Sequence, residues 1–130
     1  MRKLNQLCQI FSKPRFMESL PIINRIYEAY KAIIVLNDTL LKRWRYSLGL
    51  SLENSLLECM ECLIMAKNAP KPLKAGYLIK ASGKLETTTL KLRLVLELKL
   101  ANGTKLFQTQ AVLAEIGRML GGWLKATQST

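Results

Sequence analysis

Apolar residues recur every three or four positions in four long blocks of this chain, and helix-breaking residues fall between the blocks. That spacing puts the apolar side chains on one face of a helix, so the chain is suited to a set of amphipathic helices sharing one core. In the first block Ile22, Ile26, Ala29, Ile33, Leu36 and Leu40 form one stripe. Ile23, Tyr27, Tyr30, Ile34, Asn37 and Leu41 run beside it, and together they predict a helix over about residues 18–42. Leu48, Leu52, Leu56, Cys59, Leu63 and Ala66 repeat in the same way, with Ser47 as a candidate N-cap and Asn68-Ala69-Pro70 as a stop.

The third block reads two ways. Leu90, Leu92, Leu94, Leu96, Leu98 and Leu100 alternate with mostly charged residues, as in a half-buried strand. Leucine favours helix, however, and Val95 is the one β-branched residue in the run. In a longer window Leu78, Leu85, Leu92 and Leu96 share a helical face with Thr89 and Leu100, so a helix over about residues 73–101 is expected. Leu90, Leu94 and Leu98 then form a second apolar stripe on another side. One bundle buries only one stripe per helix, which predicts a neighbouring subunit or helix pair against these three leucines.

Asn102-Gly103 offers a left-handed C-cap and Thr104 a new N-cap, opening a fourth helix to about Lys125. Val112, Ile116, Met119 and Trp123 form its expected ridge, flanked by Leu113, Leu120 and Leu124. Ala114, Gly117 and Gly121 make a small-residue stripe that would let another helix approach closely. The expected fold is all-α, an antiparallel up-down four-helix bundle, and 130 residues suit a single such domain.

Charge narrows the function. Lys and Arg number 20 against 9 Asp and Glu, a net charge of +11, and no histidine is present. The missing histidine removes the usual general base, the Ser-His and Cys-His pairs and most zinc sites, which favours a binding protein over an enzyme. The positive balance points to a polyanionic partner. Residues 1–50 carry +6, residues 51–70 carry −2 and residues 71–130 carry +7. Lys42-Arg43-Trp44-Arg45-Tyr46 interleaves cations with aromatics in a predicted loop. The cations suit phosphates there, and the aromatics either stack on unpaired bases or tuck under the bundle end. Lys80, Lys84 and Lys91 share one helix face with Thr87 between them, preceded by Lys71 and Lys74. These lysines are candidate nucleic-acid contacts.

Other chemistry finds little support. Cys59 and Cys62 form a C-x-x-C, but with Cys8 they supply three ligands where a closed zinc site wants four, so neither metal nor cofactor is expected. Free thiols suit a reducing, cytoplasmic setting. Glu58 and Glu61 are neighbours on one helix face, yet no histidine accompanies them. Gly117 and Gly121-Gly122 fall within a helix, not between strand and helix, so a phosphate-cradling loop is not expected. The longest uncharged apolar run, Ala32 to Leu36, falls far short of the roughly 20 residues a membrane span needs. The opening MRKLNQLCQIF is interrupted by glutamines and does not read as a signal peptide.

Several segments carry a resemblance. Glu115-Ile116-Gly117-Arg118-Met119-Leu120-Gly121-Gly122-Trp123 resembles the terminal-helix signature of Avd, the accessory variability proteins of diversity-generating retroelements. Leu20-Pro21-Ile22-Ile23, Arg45-Tyr46-Ser47-Leu48-Gly49, Leu52-Glu53-Asn54-Ser55-Leu56-Leu57-Glu58 and Ala69-Pro70-Lys71 fit it too, so the resemblance covers about residues 17–126. A sister family of four-helix proteins, encoded by intervening sequences in 23S rRNA genes, shares much of the last helix. The basic-aromatic segment and Gly-Gly-Trp favour Avd.

The resemblance implies a four-helix protomer assembled as a barrel-like, basic homopentamer without catalytic activity. Such proteins associate with the retroelement's reverse transcriptase and its RNA, and support mutagenic cDNA synthesis. Onto this chain it carries Lys42, Arg43 and Arg45 as segment cations and Arg118 as the signature arginine. The alternative it leaves is an intervening-sequence-type bundle acting as a general RNA binder or structural oligomer. Residues 1–16 precede the family's usual start, as a basic arm or through an early start codon. The expected layout is that extension, a bundle domain over residues 17–127 and a short tail over 128–130.

Overall fold

The computed structural model describes residues 20–129. The extension expected over residues 1–16, and Cys8 within it, lie outside the described residues.

Four long helices carry the fold, with no strand among the described residues: α1 (Pro21–Asp38), α2 (Leu50–Asn68), α3 (Lys71–Glu97) and α4 (Gly103–Gln128). The helical reading of the leucine-rich third block is therefore correct. α1 packs beside α2 and α4, and α3 completes the circuit by packing beside the same two helices. Each helix turns its three-four stripe inward. Ile26 and Ile33 of α1, Leu52, Leu56 and Leu63 of α2, Leu78 and Leu92 of α3, and Leu106, Leu113 and Ile116 of α4 are fully buried. α4 thus presents a ridge shifted from the one expected, with Val112, Met119 and Trp123 only half-buried at its flank. On α3 the inward positions are Thr88 and Val95, where Thr89 and Leu96 were expected.

The helix ends differ more from expectation. α1 stops at Asp38, and the chain is helical again from Lys42. Lys42–Trp44 forms an α-helical turn that runs through a π-helical stretch, Arg45–Gly49, directly into α2. The segment expected as a loop is thus helix, and Ser47 is no N-cap. Its hydroxyl donates to the Arg43 carbonyl (2.7 Å), inside the stretch where the wider turn loosens the backbone ladder.

Asn37, counted above with an apolar stripe, organises this corner. It is buried, and Nδ2 donates to the Gly49 carbonyl (2.7 Å) and to Glu53 Oε2 (2.9 Å). A Cβ at Gly49 would stand 3.1 Å from the Asn37 side chain and 3.2 Å from the Trp44 carbonyl. Gly49 is therefore a close-approach glycine. The close approach expected at Gly121 is absent, since a Cβ there meets nothing within 4 Å, and at Gly117 it meets only Leu85 at an ordinary 3.6 Å. Gly121 faces outward.

α3 begins at Lys71, because Pro72 falls in the first turn, where a missing N–H costs nothing. It ends in a Schellman motif. Leu100 N–H bonds to the Val95 carbonyl (3.1 Å) and Lys99 N–H to the Leu96 carbonyl (3.0 Å). Lys99, at φ 56°, is the left-handed residue, and Gly103 is not. Asn102 instead caps α4, its side chain accepting the Lys105 N–H at 3.2 Å, which displaces Thr104 from that role.

Candidate nucleic-acid interface

Nine cations were singled out in the sequence, and the structure divides them by what their charged ends touch. Two are held by helix ends. Arg45 is half-buried and donates through Nη2 to the Leu40 carbonyl (3.1 Å), closing the end of α1. Lys74 reaches from the first turn of α3 to the Ala66 and Lys67 carbonyls of α2 (2.8 and 3.0 Å). Both neutralise the negative end of a helix dipole, so their charge is partly used within the fold.

Lys42, Arg43, Lys71, Lys80 and Arg118 are exposed. Arg43 lies over the Trp44 ring, 4.9 Å from its centre, while Trp44 packs half-buried against the core. Of the two aromatics in this segment, Trp44 tucks under the bundle and Tyr46 stays exposed. Arg118 is exposed on α4.

Lys84 and Lys91 meet α2. Lys91 Nζ donates to the Ser51 carbonyl (3.2 Å), and Lys84 Nζ pairs with Glu58 Oε2 at 2.6 Å. This hydrogen bond and charge hold the Glu58 carboxyl below its ordinary value and raise Lys84. Between them opens a cleft of about 410 Å³, walled by the small polar side chains Ser51, Asn54 and Thr87. Below it, Thr88 Oγ1 lies 2.9 Å from Ser55 Oγ and 2.8 Å from the Lys84 carbonyl, both hydroxyls buried between α2 and α3. The sequence did not reveal Glu58 as Lys84's partner. The available signal was hairpin order, which sets the middle of α2 against the middle of α3.

The remaining candidates are quieter. Cys59 is buried with Sγ 3.2 Å from the Ala81 carbonyl, and burial pushes its thiol up to about 12. No cluster of metal-ligating side chains occurs among the described residues. No described helix is long and apolar enough to cross a membrane. Leu90, Leu94 and Leu98 are 57%, 42% and 46% exposed, so the second stripe of α3 is unfilled within the protomer.

Fold and site together define an all-helical protein with a strongly basic surface. No protein-family model matches the chain, and no curated protein matches it.

Proposed function

We propose that this chain is a non-enzymatic nucleic-acid-binding accessory protein of the Avd type. In this reading it is an up-down antiparallel bundle that assembles as a homopentamer in the cytoplasm. There it joins a retroelement reverse transcriptase and its RNA template. The observation carrying the binding function is the unbalanced charge on α3 and in the helical turn ahead of α2. Lys42, Lys71, Lys80 and Lys91 have no carboxylate within ion-pair distance among the described residues, and the whole chain carries +11. Cations so placed attract phosphates by counterion release. Leu90, Leu94 and Leu98 support self-association, and the number five comes from the family resemblance. The segment resemblances named above carry the polymerase partnership.

The test is binding of an unstructured single-stranded RNA at several salt concentrations. Lys80→Gln/Lys84→Gln/Lys91→Gln keeps helix propensity nearly constant. Each lost phosphate contact lowers the salt slope by about 0.7. Weaker binding with a shallower slope is expected, while circular dichroism stays unchanged. Parent protein that shows no salt-sensitive binding overturns the reading. Co-purification with a reverse transcriptase, where one is encoded beside this chain, tests the partner; RNA binding without that association moves the assignment to the intervening-sequence type.

A further inference from the structure

The cleft between α2 and α3 has a feature that a simple basic patch lacks. Its cationic wall, Lys84 and Lys91, is met by one carboxylate, Glu58, and the rest of the lining is neutral, Ser51, Asn54 and Thr87 among it. At about 410 Å³ it lies within the range of small-ligand clefts, about 300–1,000 Å³. Glu58 and Lys84 are each nearly half exposed (49% and 46%), so water competes with their pairing and an incoming anion can replace it.

Resting on the nucleic-acid reading, we propose that this cleft is a phosphodiester-binding notch and that Glu58 occupies the phosphate's place when it is empty. A carboxylate oxygen 2.6 Å from Lys84 Nζ makes the charge-assisted contact that a phosphate oxygen would make. Asn54 then supplies donors to the remaining phosphate oxygens, and Lys91 the second charge. Binding a strand swings Glu58 out to solvent. The carboxylate therefore weakens binding twice, by competing for Lys84 and by repelling the phosphate. It keeps a very basic protein from holding every polyanion it meets.

The test compares Glu58→Gln with Glu61→Gln, which removes the same charge from an exposed α2 position outside the cleft. The probe is a 20-nucleotide single-stranded oligouridylate, titrated from low to high salt. Lys84 meets the phosphate in both proteins, so Glu58→Gln should tighten binding several-fold at every salt concentration with little change in slope, whereas losing Lys84 lowers the slope by about 0.7. Glu61→Gln should give a clearly smaller gain. Glu58→Gln/Lys84→Gln should lose the gain, which separates a notch from a general charge effect. Equal gains from both single variants, or a double variant that keeps the gain, overturn the notch and leave the nucleic-acid reading standing. A parent and variants that all fail to bind overturn both.

Discussion

The α2–α3 seam and the α1–α4 seam bury the same kinds of side chain, yet they close differently. Along α2–α3, polar groups bond across at every level. Ala66 and Lys67 receive Lys74, Cys59 meets the Ala81 carbonyl, Ser55 meets Thr88, and the Ser51 carbonyl receives Lys91. Positions fall on α2 as they rise on α3, as expected where a short turn joins consecutive helices. α1 and α4 are the first and last helices described. Arg25 pairs with Glu115 across them, and further along a groove of about 550 Å³ opens between Ala32 and Val35 on one side and Val112 on the other. The α2–α3 seam is bonded along its length beneath an outer polar cleft, whereas the α1–α4 seam is held by an ion pair beside a largely apolar groove.

Truncation is the largest test of that contrast. Leu92→Ala, at a fully buried site on α3, should cost about 2–5 kcal/mol in urea melts. Val35→Ala, 56% exposed beside the groove, should stay within about 0.5 kcal/mol. Similar losses at both sites would mean that the groove is filled in solution.

Gly49→Ala should come next. Its Cβ would press on Asn37 and on the Trp44 backbone, and overpacking of this kind costs about 1–3 kcal/mol. The same melts measure it. A stability equal to the parent's would show that the α1–α2 corner yields easily.

Smaller gains are expected where the backbone is strained or the space is open. Lys99→Gly should raise stability by about 0.5–1 kcal/mol, relief of the left-handed conformation being offset in part by glycine's extra freedom when unfolded. Gly121→Ala should gain a similar amount, about 0.8–1.0 kcal/mol from helix propensity, since its Cβ enters open space. A loss at Gly121 would instead reveal a second copy packed on that face.

The smallest effect is on pH. Glu115, held low by the hydrogen bond and charge of Arg25, and Glu58, held low by Lys84, both bind protons less readily than the ordinary 4.5. A depressed folded value gives stability that is full above the unfolded value and is lost as pH falls through the folded one. Melting temperature should therefore decline from about pH 4.5 downward. Glu115→Gln should flatten the share belonging to α1–α4, and Glu58→Gln that of α2–α3. High salt should shrink both.

Helix positions and most inward faces were legible because apolar spacing is a local property, as Ile26, Leu56 and Leu78 show. The outward stripe of Leu90, Leu94 and Leu98 was legible for the same reason. The corners were not. Asn37 sat among apolar neighbours, and its amide finds partners only when Gly49 and Glu53 arrive from the segment that follows. At the end of α3, Lys99 takes the left-handed position and Asn102 caps α4, a division of roles that spacing cannot rank. For the candidate site, sequence placed Lys84 and Lys91 on one face. It was silent on Glu58 opposite them, and on the carbonyls that occupy Arg45 and Lys74.

The π-helical stretch ahead of α2 has a consequence for length variation. A π turn closes around one more residue than an α turn, and each α-helical residue advances the chain by about 100°. Deleting one residue between Arg45 and Gly49 would let a regular helix run through without disturbing Leu52, Leu56 or Cys59. The wide turn already takes up the extra residue, so everything upstream would keep nearly its present bearing, and Lys42, Arg43 and Trp44 would hold their places around the axis. Deleting one residue from the regular part of α2 would instead turn everything upstream of the cut through about 100°. At this end of the molecule, one residue of length can be lost without changing where the charge points.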